Sequence, residues 1–126
     1  MIDLVELYDG ANKLLGYIEG ASILDKKKKP FGSIEPNTVK DNKGRVLLRL
    51  GNDDRIMLED DDNALGYVKD DRIFDSSDNL QFTYTRAKGE IADMTGAVVG
   101  CLKGDLKAIG KKEFFGIVAR FFDLFA

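Results

Sequence analysis

Apolar and polar positions recur along this chain with a period of 16 to 18 residues. A short apolar step closes on an acidic residue six times: Leu7-Tyr8-Asp9, Ile23-Leu24-Asp25, Val39-Lys40-Asp41, Met57-Leu58-Glu59, Ile73-Phe74-Asp75 and Ile91-Ala92-Asp93. Lys107-Ala108-Ile109 is a degenerate seventh case. Seven positions after each anchor stand Gly16, Gly32, Leu48, Gly66, Phe82, Gly100 and Gly116. Two positions further stand Ile18, Ile34, Leu50, Val68, Tyr84, Leu102 and Val118, apolar or aromatic in every unit. Just before the Gly slot lie Leu15, Phe31, Leu47, Leu65, Gln81, Val99 and Phe115. Self-similarity of this kind predicts a repeat architecture.

Each unit reads as strand, turn, strand. The apolar step is a short strand, and polar residues such as Asn42-Lys43-Gly44 or Ser76-Ser77-Asp78-Asn79 form the turn. Phrases such as Leu15-Gly16-Tyr17-Ile18 and Leu65-Gly66-Tyr67-Val68 form the second strand, and Gly-, Asn- and Asp-rich links lead onward. An anchor carboxylate can accept a backbone N–H two residues on and so hold its turn. That structural role is preferred to catalysis for these acids.

The anchors are spaced 16, 16, 18, 16, 18 and 16 residues apart, all even. Side chains of a strand alternate faces, so an even insertion preserves the buried face and an odd one inverts it. The predicted fold is therefore all-β with a C-terminal helix. About 12 short antiparallel strands, from six to seven repeats, form a closed or nearly closed barrel or flower, which leaves no unpaired edge. An open solenoid is the alternative. One domain covers 1–126, with repeats over 5–110 and a hydrophobic helix over 112–125.

Five of the eight Phe residues fall in that last segment: Phe114, Phe115, Phe121, Phe122 and Phe125. Glu113, Gly116, Arg120 and Asp123 form a narrow polar stripe at helical spacing, so the apolar face is very wide. Phe114-Phe115-Gly116-Ile117-Val118 also fits the second strand of a seventh unit, and a tail that begins extended and turns helical is an open alternative. Three roles stay open for the tail: a plug or cap of the barrel, a surface for a protein partner or self-association, and contact with a membrane surface, which is not favoured.

Phrases such as Tyr8-Asp9-Gly10, Leu15-Gly16-Tyr17-Ile18-Glu19-Gly20 and Arg72-Ile73-Phe74-Asp75-Ser76-Ser77, with the aromatic C-terminus, resemble the bacterial β-flower repeat proteins of four-fold and five-fold type. Units three and five depart from that pattern, with Leu48 and Phe82 in the Gly slot. More distantly, the chain is similar to the tubby-like and scramblase-like barrels, which wrap a hydrophobic C-terminal helix. The first resemblance implies a fold and no activity. The second implies membrane binding or an adaptor role.

Composition narrows the chemistry. The chain has no His, no Trp and one Cys. A Ser-His-Asp or Cys-His constellation cannot be built, nor can a His-ligated metal site. Cys101 cannot close an internal disulfide, and its apolar neighbourhood predicts a buried small hydrophobe. The net charge is −3, with 10 basic and 13 acidic residues in 1–63 and nine of each afterwards, which argues against nucleic-acid binding. Asp60-Asp61-Asp62-Asn63 and Asp75-Ser76-Ser77-Asp78-Asn79 offer oxygen ligands, but neither has the Gly and Glu of an EF-hand loop. No catalytic, cofactor-binding or metal-binding residue is assigned, and no cofactor is expected.

Lys26, Lys27, Lys28 and Lys29 form the one basic cluster, at a turn position. An exposed hairpin tip is the plain expectation, and contact with an anionic surface or acidic partner the functional one. The acidic, mixed opening Met1-Ile2-Asp3-Leu4-Val5-Glu6 and the lack of an 18-residue apolar run predict a soluble, cytoplasmic protein. The expected function is a non-enzymatic structural or protein-interaction module. The alternative is a lipid-surface or apolar-ligand-binding module of the tubby-like kind.

Overall fold

The computed structural model describes residues 4–35 and 37–125, with Ala108 as backbone only. Met1, Ile2, Asp3 and the link residue Pro36 lie outside the described residues. Twelve strands follow one another: β1 (Leu4–Asp9), β2 (Leu14–Glu19), β3 (Ser22–Asp25), β4 (Pro30–Ile34), β5 (Thr38–Asp41) and β6 (Val46–Leu50), then β7 (Arg55–Met57), β8 (Gly66–Lys69), β9 (Arg72–Asp75), β10 (Leu80–Thr85), β11 (Glu90–Asp93) and β12 (Val98–Lys103). Each pairs antiparallel with its chain neighbours, and β1 pairs with β12, so the sheet closes into a barrel. The solenoid alternative falls, because the closing ladder joins Leu7 to Leu102 and Tyr8 to Cys101.

Alternation explains the lining. The residues two before the anchors, Leu7, Ile23, Val39, Ile73 and Ile91, are completely buried. Those two past the Gly slot, Ile18, Ile34, Leu50, Val68, Tyr84 and Leu102, are buried as well. The fourth unit departs from the even spacing. Its barrel-lining partner of Gly66 is Ile56, one residue before the expected Met57. The eight-residue loop 58–65 absorbs the odd residue, because parity binds only within a strand and a loop can take up any number.

Register shifts leave Leu15, Phe31, Leu47, Gln81 and Val99 unpaired in β-bulges immediately before the Gly slot. A bulge turns two successive side chains toward one side of the sheet. The apolar residue before the slot therefore packs on the core, as Leu15, Phe31, Leu47 and Val99 do.

The hollow is filled by the C-terminus. A 3-10 turn at Leu106–Ala108 leads into α1 (Lys111–Phe121). Its residues 114–119 are all buried against the barrel wall. The segment 114–118 is thus helical and not a seventh strand. A lone strand inside a closed barrel would have no ladder partner for its N–H and C=O groups, whereas a helix satisfies its own. Eleven residues of helix span about 16 Å, which suits strands of this length laid at a barrel's tilt.

The far end of the barrel anchors the start of the helix. Glu113 Oε1 accepts the Gly110 N–H at 2.8 Å, and Lys111 Nζ pairs with Asp54 Oδ1 at 2.6 Å. Arg86 donates to both Asp71 carboxylate oxygens and, at 2.6 Å, to the Ile109 carbonyl. The helix stops at Phe121, four residues short of the expected end, because Asp123 takes a left-handed conformation (φ 51°) just past the cap.

Candidate interaction surface

In a closed meander, alternate turns share an end. The turns β1–β2, β3–β4, β5–β6, β7–β8, β9–β10 and β11–β12 ring the mouth toward which α1 runs. Five of them are built alike. Oδ1 of Asp9, Asp25, Asp41, Asp75 and Asp93 accepts the N–H two residues on at 2.8–2.9 Å, and the N–H four residues on at 2.9–3.2 Å. The third residue past each anchor is left-handed: Asn12, Lys28, Gly44, Asp78 and Gly96. The N–H groups of Lys29, Arg45 and Asn79 are the main cause holding the carboxyls of Asp25, Asp41 and Asp75 below the usual carboxylate range. For Asp93 the Thr95 hydroxyl does most of this. These carboxylates are occupied with the backbone. In the β7–β8 loop that task passes from Glu59 to Asp61, which accepts the Asn63 N–H.

The tail closes the mouth. Phe121 lies against Phe31 (centroids 5.1 Å apart) and Phe122 stacks with Phe82 at 6.0 Å. Phe125 covers Gly66, where a Cβ would stand 2.6 Å from its ring. Arg120 donates from Nε to the Phe31 carbonyl at 2.7 Å, with its guanidinium 3.5 Å from the Phe31 ring centroid. Of the aromatic residues expected to carry an interface, Phe114 and Phe115 are sealed inside and can touch nothing but the barrel. Phe121, Phe122 and Phe125 are half-buried at the rim.

Lys26, Lys27, Lys28 and Lys29 sit exposed on the β3–β4 turn. Lys26, Lys27 and Lys29 border a cleft of about 510 Å³ whose apolar floor is Leu14, Leu15, Phe31 and Phe121. A recess of about 280 Å³ runs beside Arg120, between Leu47, Leu58 and Phe125. The described residues hold three strongly exposed large apolar side chains: Leu58 (45%), Met94 (64%) and Val98 (38%). All three are in or beside turns of this mouth. The sequence reading missed them: Met94 stands out as the one large apolar residue within its turn, whereas Leu58 belongs to a step that reads as strand.

Cys101 is half-buried rather than buried. It lies between inward-facing Gly100 and Leu102, so alternation turns its thiol outward. The Tyr84 hydroxyl is buried without a hydrogen-bond partner, and burial pushes its pKa up. Among the described residues no charged side chain is buried, no three acidic or cysteine side chains gather as a metal would require, and no helix is long and apolar enough to cross a membrane. No protein-family model, curated protein or solved structure matches the chain.

Proposed function

We propose that this protein is a non-enzymatic interaction module that works through the tail-plugged mouth of its barrel. The observation that carries this reading is the concentration of Leu58, Met94, Val98 and the three rim Phe residues at one end. Exposed apolar patches are uncommon on soluble domains unless something covers them. The anchor carboxylates, the most regular polar groups on the chain, are spent on turns and are not free for acid–base work. A cytoplasmic setting and kinship to the β-flower and tubby-like proteins belong to the same proposal and rest on the sequence alone.

Affinity capture from cell extract with two variants tests it. Leu58→Ser with Met94→Ser changes only the mouth, and Lys69→Ser with Lys88→Ser changes only the opposite end. A partner kept by wild type and by the second variant, and lost by the first, supports the reading. A partner lost only by the second refutes it.

The cleft beneath Lys26, Lys27 and Lys29 favours a second reading, in which the mouth meets an anionic apolar surface such as a lipid layer. Sedimentation with phosphatidylserine vesicles separates the two. Binding that fades with salt and disappears in a Lys26→Ser, Lys27→Ser, Lys29→Ser variant favours lipid. Absence of vesicle binding at low salt removes it.

A further inference from the structure

The charges of the mouth are sorted by sector. In a closed meander the six turns follow each other round the rim in chain order. The adjacent turns 25–29 and 41–45 contain two Asp, five Lys and one Arg, a net +4. The next three, 58–65, 75–79 and 93–97, contain six Asp and one Glu with no basic residue; Asp62 folds back onto the outer wall and pairs with Arg49 of β6, which leaves a net −6 for the sector. The remaining turn, 9–13, balances Asp9 with Lys13. A plug of Phe121, Phe122 and Phe125 lies between the two sectors.

We propose that the mouth docks face to face on a second copy of this chain. The inference rests on the interaction-module reading and names its partner. Two identical discs related by a twofold axis lying in their shared plane can place the basic sector of each opposite the acidic sector of the other. A rim with two opposed sectors is thus its own complement, which is what an isologous interface requires. The apolar plugs meet in the centre, with the exposed Asp123 and half-buried Arg120 of each tail beside them, and the charged turns form the rim.

Size agrees with this. Twelve strands at the usual spacing and tilt make a barrel with a backbone radius of roughly 12 Å, so the mouth with its side chains covers roughly 700 Å². Two such faces come close to the ~1,600 Å² of a standard interface. Six hairpins divide the rim into sectors of about 60°. The twofold that exchanges the centre of the basic pair with the β9–β10 turn carries the β11–β12 turn onto the cleft between the first two turns. Met94, the most exposed of the large apolar side chains, then enters the second copy's cleft, floored by Leu14, Leu15, Phe31 and Phe121. Methionine is suited to filling an irregular apolar recess.

Sedimentation velocity across a concentration series tests the proposal. Wild type is expected to be a dimer at about 100 µM in low salt, since interfaces of this size span micromolar to picomolar affinity. Added salt should weaken it. Lys26→Glu with Lys27→Glu and Lys29→Glu, all on an exposed turn, should weaken dimerisation at least about tenfold by setting like charges face to face. Met94→Asp should leave a folded monomer, with its melting temperature and circular dichroism as the check on folding. A wild type that is monomeric at this concentration overturns the second copy as partner, while the capture experiment still judges the module reading. A dimer untouched by either mouth variant and broken by Lys69→Glu with Lys88→Glu overturns both.

Discussion

Gly116 is the point at which the helix meets the wall most closely, and Gly116→Ala gives a sharp test of the plugged barrel. A Cβ built at Gly116 would collide with Ile34 Cδ1 and lie 2.5 Å from Ile34 Cγ1, with Ile34 Cβ at 3.8 Å. Alanine improves an exposed helix interior over glycine by about 1 kcal/mol. Here it must displace a buried β-branched residue whose Cγ1 moves only by turning a stiff χ1. Overpacking of that sort costs about 1–3 kcal/mol, and two atoms inside 3 Å argue for the upper part, so Gly116→Ala should destabilise by about 1–2 kcal/mol net.

Ile34→Ala removes both offending atoms and opens a cavity, at a cost of about 2–5 kcal/mol. In that background the Gly116→Ala methyl occupies vacated space and keeps its helical advantage, so it should stabilise by about 1 kcal/mol. The substitution reverses sign, and the coupling falls at the upper end of what contacting residues show. Urea unfolding of the four proteins measures it. If Gly116→Ala stabilises the wild type as well as the Ile34→Ala variant, the helix is not seated against β4 and the plug is wrong.

Phe114→Ala should cost about 3–5 kcal/mol, because its ring is fully buried and stacked 5.7 Å from Tyr84, and Phe121→Ala at the half-open rim should cost clearly less in the same assay. Lys28 holds a left-handed φ of 64°, so Lys28→Gly should raise stability by about 0.5–1 kcal/mol in urea unfolding, where substitution of an ordinary turn residue would do nothing. The carboxyls of Asp25, Asp41, Asp75 and Asp93 are held below their unfolded values, so their contribution is present in full above the unfolded pKa near 4 and disappears as pH falls through the lower folded values. Melting temperature should therefore be flat in this respect from neutral pH to about 5 and drop below about 4, and the drop should be shallower in Asp75→Asn, which keeps the acceptor oxygen without titrating.

Local rules were sufficient for the hairpins. Alternation placed Leu7, Ile23, Val39, Ile73 and Ile91 inside, and the carboxylate at Asp9, Asp25, Asp41, Asp75 or Asp93 bonds backbone only two and four residues away. Both depend on near neighbours in the chain, so they are readable from order alone. The slip from Met57 to Ile56 was not, because a loop carries no parity and the register of β7 is set by its pairing with β8. Nor was the state of Phe114-Phe115-Gly116-Ile117-Val118, whose pattern suits strand and helix equally. The hollow of the barrel decides it, being wide enough for one helix and empty of ladder partners for a strand. The mouth is the clearest case. Lys26 and Asp60, far apart in order, and Met94, in a turn of its own, acquire a shared face only when β1 pairs with β12 and all six anchor turns close into one ring. Chain order supplied the charges and apolar tips one turn at a time, and ring closure, a non-local pairing, set them against one another.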